Sequence, residues 1–249
     1  MDHNITFDDA VEGFRIAAIK YYEQNILVSG KTNTGKSSTV YLGVAVHYIS
    51  HNNNGEILQQ VSQSNTQSNF NVKSNICGFH DEVVQDDFRA FLFIMNYKTD
   101  TCRENVRTMR FMLPTLNIIT LTGSLNWGIL KNSIMKADVI LIKWDQLFHF
   151  HNVMRSTKFK NLRFFTMDEC ITMTSDHQIA SIEIFMKEHF YCHLIQMIMV
   201  SCSFSNDKIA ALRKIIGTDY ARIDLTRCLT VSRISPPQRL ENLYKPFRG

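Results

Sequence analysis

The sequence predicts an α/β fold in which a mostly parallel β-sheet carries helices on both faces. Short apolar runs of strand length recur along the 249 residues, and most lack the apolar-polar alternation of a half-exposed strand. The segments between the runs have helical length, and some place apolar residues three and four positions apart. A glycine-containing motif joins the first run to the first helical segment. Strands that alternate with helices in this way form parallel sheets.

Seven apolar runs are the predicted strands. In chain order they are Ile26–Val28, Phe91–Met95, Ile118–Leu121, Val139–Ile142, Leu162–Met167, Ile195–Val200 and Ile223–Leu225. The candidate strand Ile195–Val200 is far shorter than the roughly 20 residues that span a bilayer. We therefore expect no membrane-spanning segment.

Helices are predicted between these strands. The first begins at Ser37 and continues to about Tyr48. Another is indicated by four apolar residues at helical spacing: Cys102, Val106, Met109 and Leu113. The last has an apolar face formed by Ile209, Leu212 and Ile216. Ser205-Asn206-Asp207 supply N-cap candidates for this last helix, and Gly217 is a C-terminal stop.

The composition is that of a globular intracellular protein. Apolar residues make up 45% and charged residues 20%, which excludes disorder over the whole length. The net charge of +4 permits a nucleic-acid partner without requiring one. Six scattered cysteines without a C-x-x-C pair predict reduced thiols. The N-terminus lacks the apolar core of a signal peptide, so we expect a cytoplasmic location, with the nucleus as an alternative.

Two segments depart from the strand-helix pattern. Residues 50–75 are rich in Asn, Ser and Gln and are interpreted as a low-complexity surface insertion. Ser235-Pro236-Pro237 ends regular structure and indicates a linker. The sequence thus predicts one domain over residues 1–234 and the start of a linker over residues 235–249.

The strongest functional signal is a phosphate-binding loop. Residues 30–37 match G-x-x-x-x-G-K-[ST] at every fixed position, and they lie between a predicted strand and a predicted helix. Backbone N–H groups and the helix N-terminus would bind phosphate oxygens, Lys36 would reach the β- and γ-phosphates, and the Ser37 hydroxyl would ligate Mg²⁺. The alternative is a chance match in a glycine turn. The candidate nucleotide-binding residues are Gly30, Lys31, Thr32, Asn33, Thr34, Gly35, Lys36, Ser37 and Ser38.

Two further groups of polar residues follow predicted strands. Asp168 and Glu169 come directly after one strand, at the sheet edge where ligands bind in open α/β folds. Asp168 would hold Mg²⁺, and Glu169 would orient or deprotonate an attacking water. Ser201 and Ser203 follow the next strand and would couple the nucleotide site to another surface. An acidic turn and an ordinary serine turn are the respective alternatives.

These motifs, in this order, resemble the DEAD-box and DExH-type superfamily 2 helicases over nearly the whole chain. Gly30–Ser37 resembles motif I, Asp168-Glu169-Cys170-Ile171 resembles motif II, and Ser201-Cys202-Ser203 resembles motif III. The resemblance implies the first of that family's two RecA-like domains. It implies ATP and Mg²⁺ as cofactors, single-stranded RNA and a second RecA-like domain as partners, and catalytic roles for Lys36, Asp168 and Glu169.

Segments that contact RNA in this family have altered counterparts here. Asn96–Asp100 occupies the place of the Pro-Thr-Arg-Glu-Leu motif, with Lys98 keeping the positive charge. Thr122-Gly123-Ser124 resembles the paired-glycine motif, and Lys143–Gln146 lies where Thr-Pro-Gly-Arg is usual. The resemblance implies RNA binding by Lys98, Thr122 and Gly123.

Two departures concern ATP itself. Lys20 lies where the adenine-reading Q motif has glutamine, and lysine has no acceptor with which to make both amide bonds. Motif II ends in Cys170-Ile171, where Ala-Asp is usual. The chain therefore resembles a divergent member with weakened turnover. The tudor-domain-associated helicases of germline small-RNA pathways are one such divergent group.

Two functions remain open at this point. The first is an ATPase domain of an RNA helicase, slow as an isolated fragment. The alternative is a degenerate RecA-like scaffold that binds nucleotide, RNA or protein partners in a ribonucleoprotein. The complete set of Lys36, Ser37, Asp168 and Glu169 favours the enzyme, whereas Cys170-Ile171 favours the scaffold.

Overall fold

Seven strands and six α-helices alternate along the described part of the chain. The computed structural model describes residues 24–31, 35–63, 88–155, 157–190 and 195–225, together with Val11 and Phe14. The elements are β1 (Asn25–Ser29), α1 (Lys36–Gln63), β2 (Leu92–Asn96), α2 (Thr99–Met112), β3 (Ile118–Leu121), α3 (Trp127–Met135), β4 (Val139–Lys143), α4 (Leu147–Val153), β5 (Phe164–Asp168), α5 (Asp176–His189), β6 (Gln196–Ser201), α6 (Asn206–Ile216) and β7 (Tyr220–Asp224). Two 3₁₀ turns, Trp144–Gln146 and Cys170–Thr172, follow β4 and β5.

All strands belong to one sheet with the order β3-β4-β2-β5-β6-β1-β7, and every neighbouring pair is parallel. Asn96 lies opposite Asp168 between β2 and β5, and Ser29 lies opposite Ser201 between β1 and β6. The carboxyl ends of the central strands therefore meet at one edge. The predicted α/β class and mostly parallel sheet are confirmed.

Helices cover both faces of the sheet, as predicted. Helices α1 and α2 contribute the helical side chains of the apolar core on one face. Helices α3, α4, α5 and α6 contribute those of the core on the other face. Because both faces are covered, the central strands are almost wholly buried and show no apolar-polar alternation.

The predicted helix ends are largely confirmed. Helix α2 runs to Met112, and Leu113 is its C-cap. Ser205 is the N-cap of helix α6, and Gly217 is its C-cap. Gly217 has a φ of +76°, in the left-handed region that glycine adopts without strain. A capping box of Ser175 and Gln178 begins α5.

Helix α1 is longer than the sequence pattern predicts. It continues to Gln63, so residues 50–63 of the predicted low-complexity insertion are helical, where the sequence pattern predicted the helix to end near Tyr48. Each residue added to an existing helix contributes a further hydrogen bond, and Asn, Ser and Gln cost only a few tenths of a kcal/mol there. Residues 64–75 and the predicted linker at residues 235–249 lie outside the described residues.

Strand β7 begins three residues earlier than the apolar run indicates, at Tyr220. It is an edge strand that pairs only with β1 in the described sheet, and Arg222 and Asp224 remain exposed. An apolar-run criterion cannot detect a strand whose outward residues are polar. No helix among the described residues has the length and apolar character needed to cross a membrane.

Candidate nucleotide-binding site

The predicted phosphate-binding loop connects β1 to α1. Gly30 donates its N–H to the Ser201 carbonyl at 3.2 Å, which ties the start of the loop to β6. Gly35 has a φ of +74°, a conformation that a residue with a Cβ adopts only with strain. Lys36 extends its ammonium group back to the Lys31 carbonyl at 3.4 Å, over the loop. Thr32, Asn33 and Thr34 are outside the described residues, and Ser38 lies in the first turn of α1.

Ser37 and Asp168 meet as predicted. The Ser37 hydroxyl donates to Asp168 Oδ1 at 2.8 Å, and this bond joins the first turn of α1 to the end of β5. The Glu169 N–H donates to the same oxygen at 3.0 Å. A serine hydroxyl and a carboxylate at this distance form the oxygen-ligand pair that Mg²⁺ prefers.

Two asparagines that sequence reasoning did not assign to the site hold the other carboxylate oxygen. Asn96 donates to Asp168 Oδ2 at 2.9 Å, and Asn105 donates to it at 3.4 Å. Asn96 ends the buried strand β2, and Asn105 lies on the buried side of α2 between Cys102 and Val106. A buried polar residue on an otherwise apolar helix face is the signal that could have identified Asn105.

Burial gives Asp168 unusual electrostatics. Its side chain is fully buried, and loss of solvation raises its pKa, although the Ser37 hydrogen bond acts in the opposite direction. Burial and the neighbouring Asp168 charge raise the pKa of Tyr41 well above its usual value. The same two causes raise the pKa of Cys102 to about 12. Within the described part of the chain no Lys or Arg pairs with Asp168, so a divalent cation fits as the missing positive charge.

The raised pKa of Asp168 predicts a pH dependence of stability. In the unfolded chain the Asp168 carboxyl has a pKa of about 3.9, whereas in the folded protein its pKa is higher and it keeps its proton to higher pH. Its contribution to stability is therefore fully present below the unfolded pKa and is lost as pH rises through the folded pKa. Urea unfolding of wild type and Asp168→Asn, from about pH 4 to about pH 7, should show wild type losing stability relative to the variant as pH rises. A constant or rising difference would contradict the prediction.

Glu169 has a strained backbone beside this cluster. Its φ of 54° and ψ of 36° make it the one non-glycine residue with positive φ in the described ranges, a conformation that costs about 1–2 kcal/mol. Its carbonyl accepts hydrogen bonds from the Thr172 N–H at 3.0 Å and the Thr172 hydroxyl at 2.7 Å. Glu169 Oε1 lies 3.4 Å from Lys98 Nζ, and Oε2 is buried without a hydrogen-bond partner among the described residues. A water bound at Oε2 would satisfy that acceptor.

Ser201 and Ser203 have different environments. Ser201 is buried at the end of β6, and its hydroxyl has no hydrogen-bond partner within the described ranges. Ser203 is exposed, 3.9 Å from Cys202 Sγ. A pocket of about 280 Å³ opens at this edge; its lining residues are Leu27, Ser29, Cys202, Ser203, Phe204, Arg222 and Asp224. The structure thus places Ser201 beside Gly30 at the start of the candidate phosphate-binding loop, and Ser203 in the lining of this pocket.

The three predicted RNA-binding residues lie along the same edge of the sheet. Lys98 follows β2, and Thr122 and Gly123 follow β3, two strands away and so about 10 Å across the sheet. Gly123 is exposed with a φ of +77°. Lys143, at the end of β4 between them, pairs with Asp145 at 2.7 Å. Lys98 therefore lies beside Asp168 and Glu169, whereas Thr122 and Gly123 lie further from these two residues along the same edge of the sheet.

The described part of the chain is an α/β domain with a wholly parallel sheet, in which the candidate loop joins β1 to α1. More narrowly, it has the RecA-like fold of DEAD-box and related superfamily 2 helicase domains. Mss116p bound to ssRNA and AMP-PNP matches with a TM-score of 0.57 and 11% identity over 90% of this chain. The Pyrococcus furiosus Hef helicase domain matches with a TM-score of 0.56 and 13% identity over 85% of it. S. cerevisiae Dbp5 bound to Gle1 and IP6 matches with a TM-score of 0.55 and 12% identity over 89%.

The chain spans about half of these structures or less, covering 46%, 37% and 52% of them respectively. No protein-family model and no curated protein matches the sequence. At these identities the comparisons establish the fold.

Proposed function

We propose that the chain is the ATP-binding domain of a divergent RNA helicase, which hydrolyses ATP with Mg²⁺ and couples hydrolysis to RNA binding or remodelling. The observation that carries this proposal is the assembly at the sheet edge. Ser37 contacts Asp168 at 2.8 Å, and Glu169 next to it keeps a buried carboxylate oxygen without a partner in the described ranges. A purely structural turn has no need of an unpaired buried acceptor.

The loop residues would bind the triphosphate. The N-terminus of α1 favours anionic oxygens, and Lys36 would leave the Lys31 carbonyl to donate to the phosphates. Ser37 and Asp168 would hold Mg²⁺. When bound, this ion neutralises charge that develops on the phosphates.

Glu169 would act on the attacking water. Its Oε2 is the open acceptor, and the strained but firmly hydrogen-bonded backbone holds the carboxylate at the edge of β5. The water would donate to Oε2, and the carboxylate would receive its proton as the water oxygen bonds to the γ-phosphorus. The bond from that phosphorus to the bridging oxygen would break in the same step, so that ADP and phosphate are the products. Ser201 and Ser203 would couple this site to RNA held by Lys98, Thr122 and Gly123. The ssRNA and AMP-PNP in the Mss116p structure support this combination of ligands.

A second RecA-like domain is proposed to complete the site, since the helicase structures above are about twice the length of this chain or more. The isolated chain is expected to turn over slowly, below about 1 per second. We also propose a cytoplasmic location in a ribonucleoprotein, because the proposed activity acts on RNA.

A static scaffold that binds nucleotide, RNA or protein partners is the second candidate function, and Cys170 favours it. This residue takes the third position of the acidic motif, is fully buried, and has a pKa raised by burial. Ile171, the next residue, is apolar where the helicase motif has an aspartate, so the acid that would couple ATP to RNA is missing.

Calorimetric titration of the 249-residue chain with ATP, GTP and ADP in the presence of Mg²⁺ tests the proposal. We expect wild type to bind ATP and Lys36→Ala to lose that binding, because the Lys36 ammonium group already lies over the loop, 3.4 Å from the Lys31 carbonyl, and would contact the β- and γ-phosphates. Lys136→Ala is the matched control, since this exposed lysine precedes β4 at the opposite edge of the sheet.

The outcomes separate three cases. Binding of ATP in preference to GTP shows that adenine is read despite Lys20. Equal binding of ATP and GTP shows that the base is not read. A folded wild type that binds no nucleotide overturns the ATPase proposal for this chain and leaves the scaffold.

A further inference from the structure

The ion pair between Lys98 and Glu169 lies between the candidate nucleotide site and the candidate RNA surface. Lys98 Nζ is 3.4 Å from Glu169 Oε1. The Lys98 side chain is 63% exposed, whereas that of Glu169 is 29% exposed. One ammonium group therefore contacts the proposed catalytic carboxylate and remains open to solvent on its other side.

The main chain at Lys98 is anchored to the proposed metal site. The Lys98 N–H donates to Asn96 Oδ1 at 2.9 Å, and the Asn96 amide donates to Asp168 Oδ2 at 2.9 Å. Asn96 and Asp168 are both fully buried. Because this short chain of hydrogen bonds fixes the backbone, the long Lys98 side chain is the part that can change partner.

We propose that Lys98 is a positioning residue that holds Glu169 while nucleic acid is absent, and that a backbone phosphate of single-stranded nucleic acid takes Lys98 away from Glu169 on binding. This inference rests on the proposed function. With Lys98 on a phosphate, Glu169 Oε1 loses its partner and the carboxylate is free to receive water through either oxygen. Arrival of the nucleic acid thereby prepares the residue that acts on the water.

The strengths of the two contacts permit this exchange. An exposed ion pair changes an equilibrium by about two- to fivefold, and a lysine-phosphate contact adds counterion release to a comparable attraction. A tightly buried pair would resist exchange, but Lys98 is mostly exposed. The anionic oxygens of a phosphodiester occur in both RNA and DNA, so the contact itself reads the backbone and not the base.

A double-mutant cycle on nucleic-acid affinity tests the exchange without requiring hydrolysis. Fluorescence anisotropy with a labelled oligo-U, and separately oligo-dT, would be measured for wild type, Lys98→Met, Glu169→Gln and the double variant at low salt. We expect Glu169→Gln to tighten binding about two- to fivefold when Lys98 is present, because the negative charge that competes with phosphate for Lys98 is gone. In the Lys98→Met background the same change should have little effect.

Two further readouts accompany the cycle. Lys98→Met should lower the slope of log affinity against log salt by about 1, while Lys136→Met leaves it unchanged. In ATPase assays, Lys98→Met should raise the RNA-independent rate and reduce stimulation by RNA, and Lys98→Arg should restore both. Oligo-U binding without oligo-dT binding would assign the phosphate to RNA.

Failure of this inference is distinguishable from failure of the proposed function. Equal effects of Glu169→Gln in both backgrounds, or no nucleic-acid binding by wild type, overturn the exchange. Absence of ATP hydrolysis in wild type and in all the variants overturns the proposed ATPase activity. The double-mutant cycle on nucleic-acid binding then still decides whether Lys98 exchanges partners.

Discussion

Replacing Glu169 by glutamine should lower ATP turnover by about 10²- to 10⁴-fold, the usual contribution of a general base. Glutamine retains the shape of the side chain but cannot receive a proton at the position of Oε2. Nucleotide affinity should change little, because Lys36, Ser37 and Asp168 are untouched. Phosphate release in the presence of RNA and calorimetric ATP binding measure the two quantities on the same protein.

Glu188→Gln is the matched control for this experiment. Glu188 lies in the last turn of α5, its side chain is 51% exposed, and it contacts His151 at 3.5 Å. The Glu188→Gln variant should leave ATP turnover unchanged. Wild-type turnover in Glu169→Gln would contradict the assigned role of the carboxylate. ATP binding without hydrolysis in wild type would favour the scaffold.

Phe93→Ala should have the largest effect on stability, a loss of about 3–5 kcal/mol. Phe93 lies in the middle of β2 and is fully buried. Its ring contacts five other phenylalanine rings at centroid separations of 5.5–6.0 Å: Phe150, Phe159, Phe165, Phe185 and Phe190. Truncation would leave a cavity among rings from several elements, which cannot all move inward to fill it.

Urea unfolding measures this loss, with Phe148→Ala as the control. Phe148 is 69% exposed on α4, so its truncation should cost less than about 1 kcal/mol. Similar losses for the two variants would show that the aromatic cluster is not the centre of this core. Because Phe93 also lies next to Phe165 in β5, loss of the cluster should loosen the two strands that end in Asn96 and Asp168.

Local patterns predicted much of this structure. Each of the seven apolar runs overlaps a strand, and the central strands are apolar because both of their faces are covered. The position of the candidate loop between β1 and α1 and the contact between Ser37 and Asp168 followed from motif spacing and from the rule that parallel strands end at one edge. Polar composition alone was a weaker guide, since residues 50–63 continue α1 and the exposed Arg222 and Asp224 belong to β7.

Other parts of the site depend on contacts between residues distant in sequence. Asn105 and Asp168 are 63 positions apart, and Lys98 and Glu169 are 71 apart. No local pattern indicates such pairs, because they arise only when β2 and β5 become neighbours in the sheet. The strained backbone of Glu169 likewise follows from its place at the end of β5.

The sequence by itself determined the α/β class and the seven strands, because burial requires apolar residues at short spacing. It also carries the loop motif on which the proposal of phosphate binding rests. Tertiary structure alone decided the order of the strands. Apolar strands of similar composition can pair in many orders, and packing of the whole chain selects one. That order places Asn96 beside Asp168 and Lys98 beside Glu169, so it also decided which polar side chains surround the site.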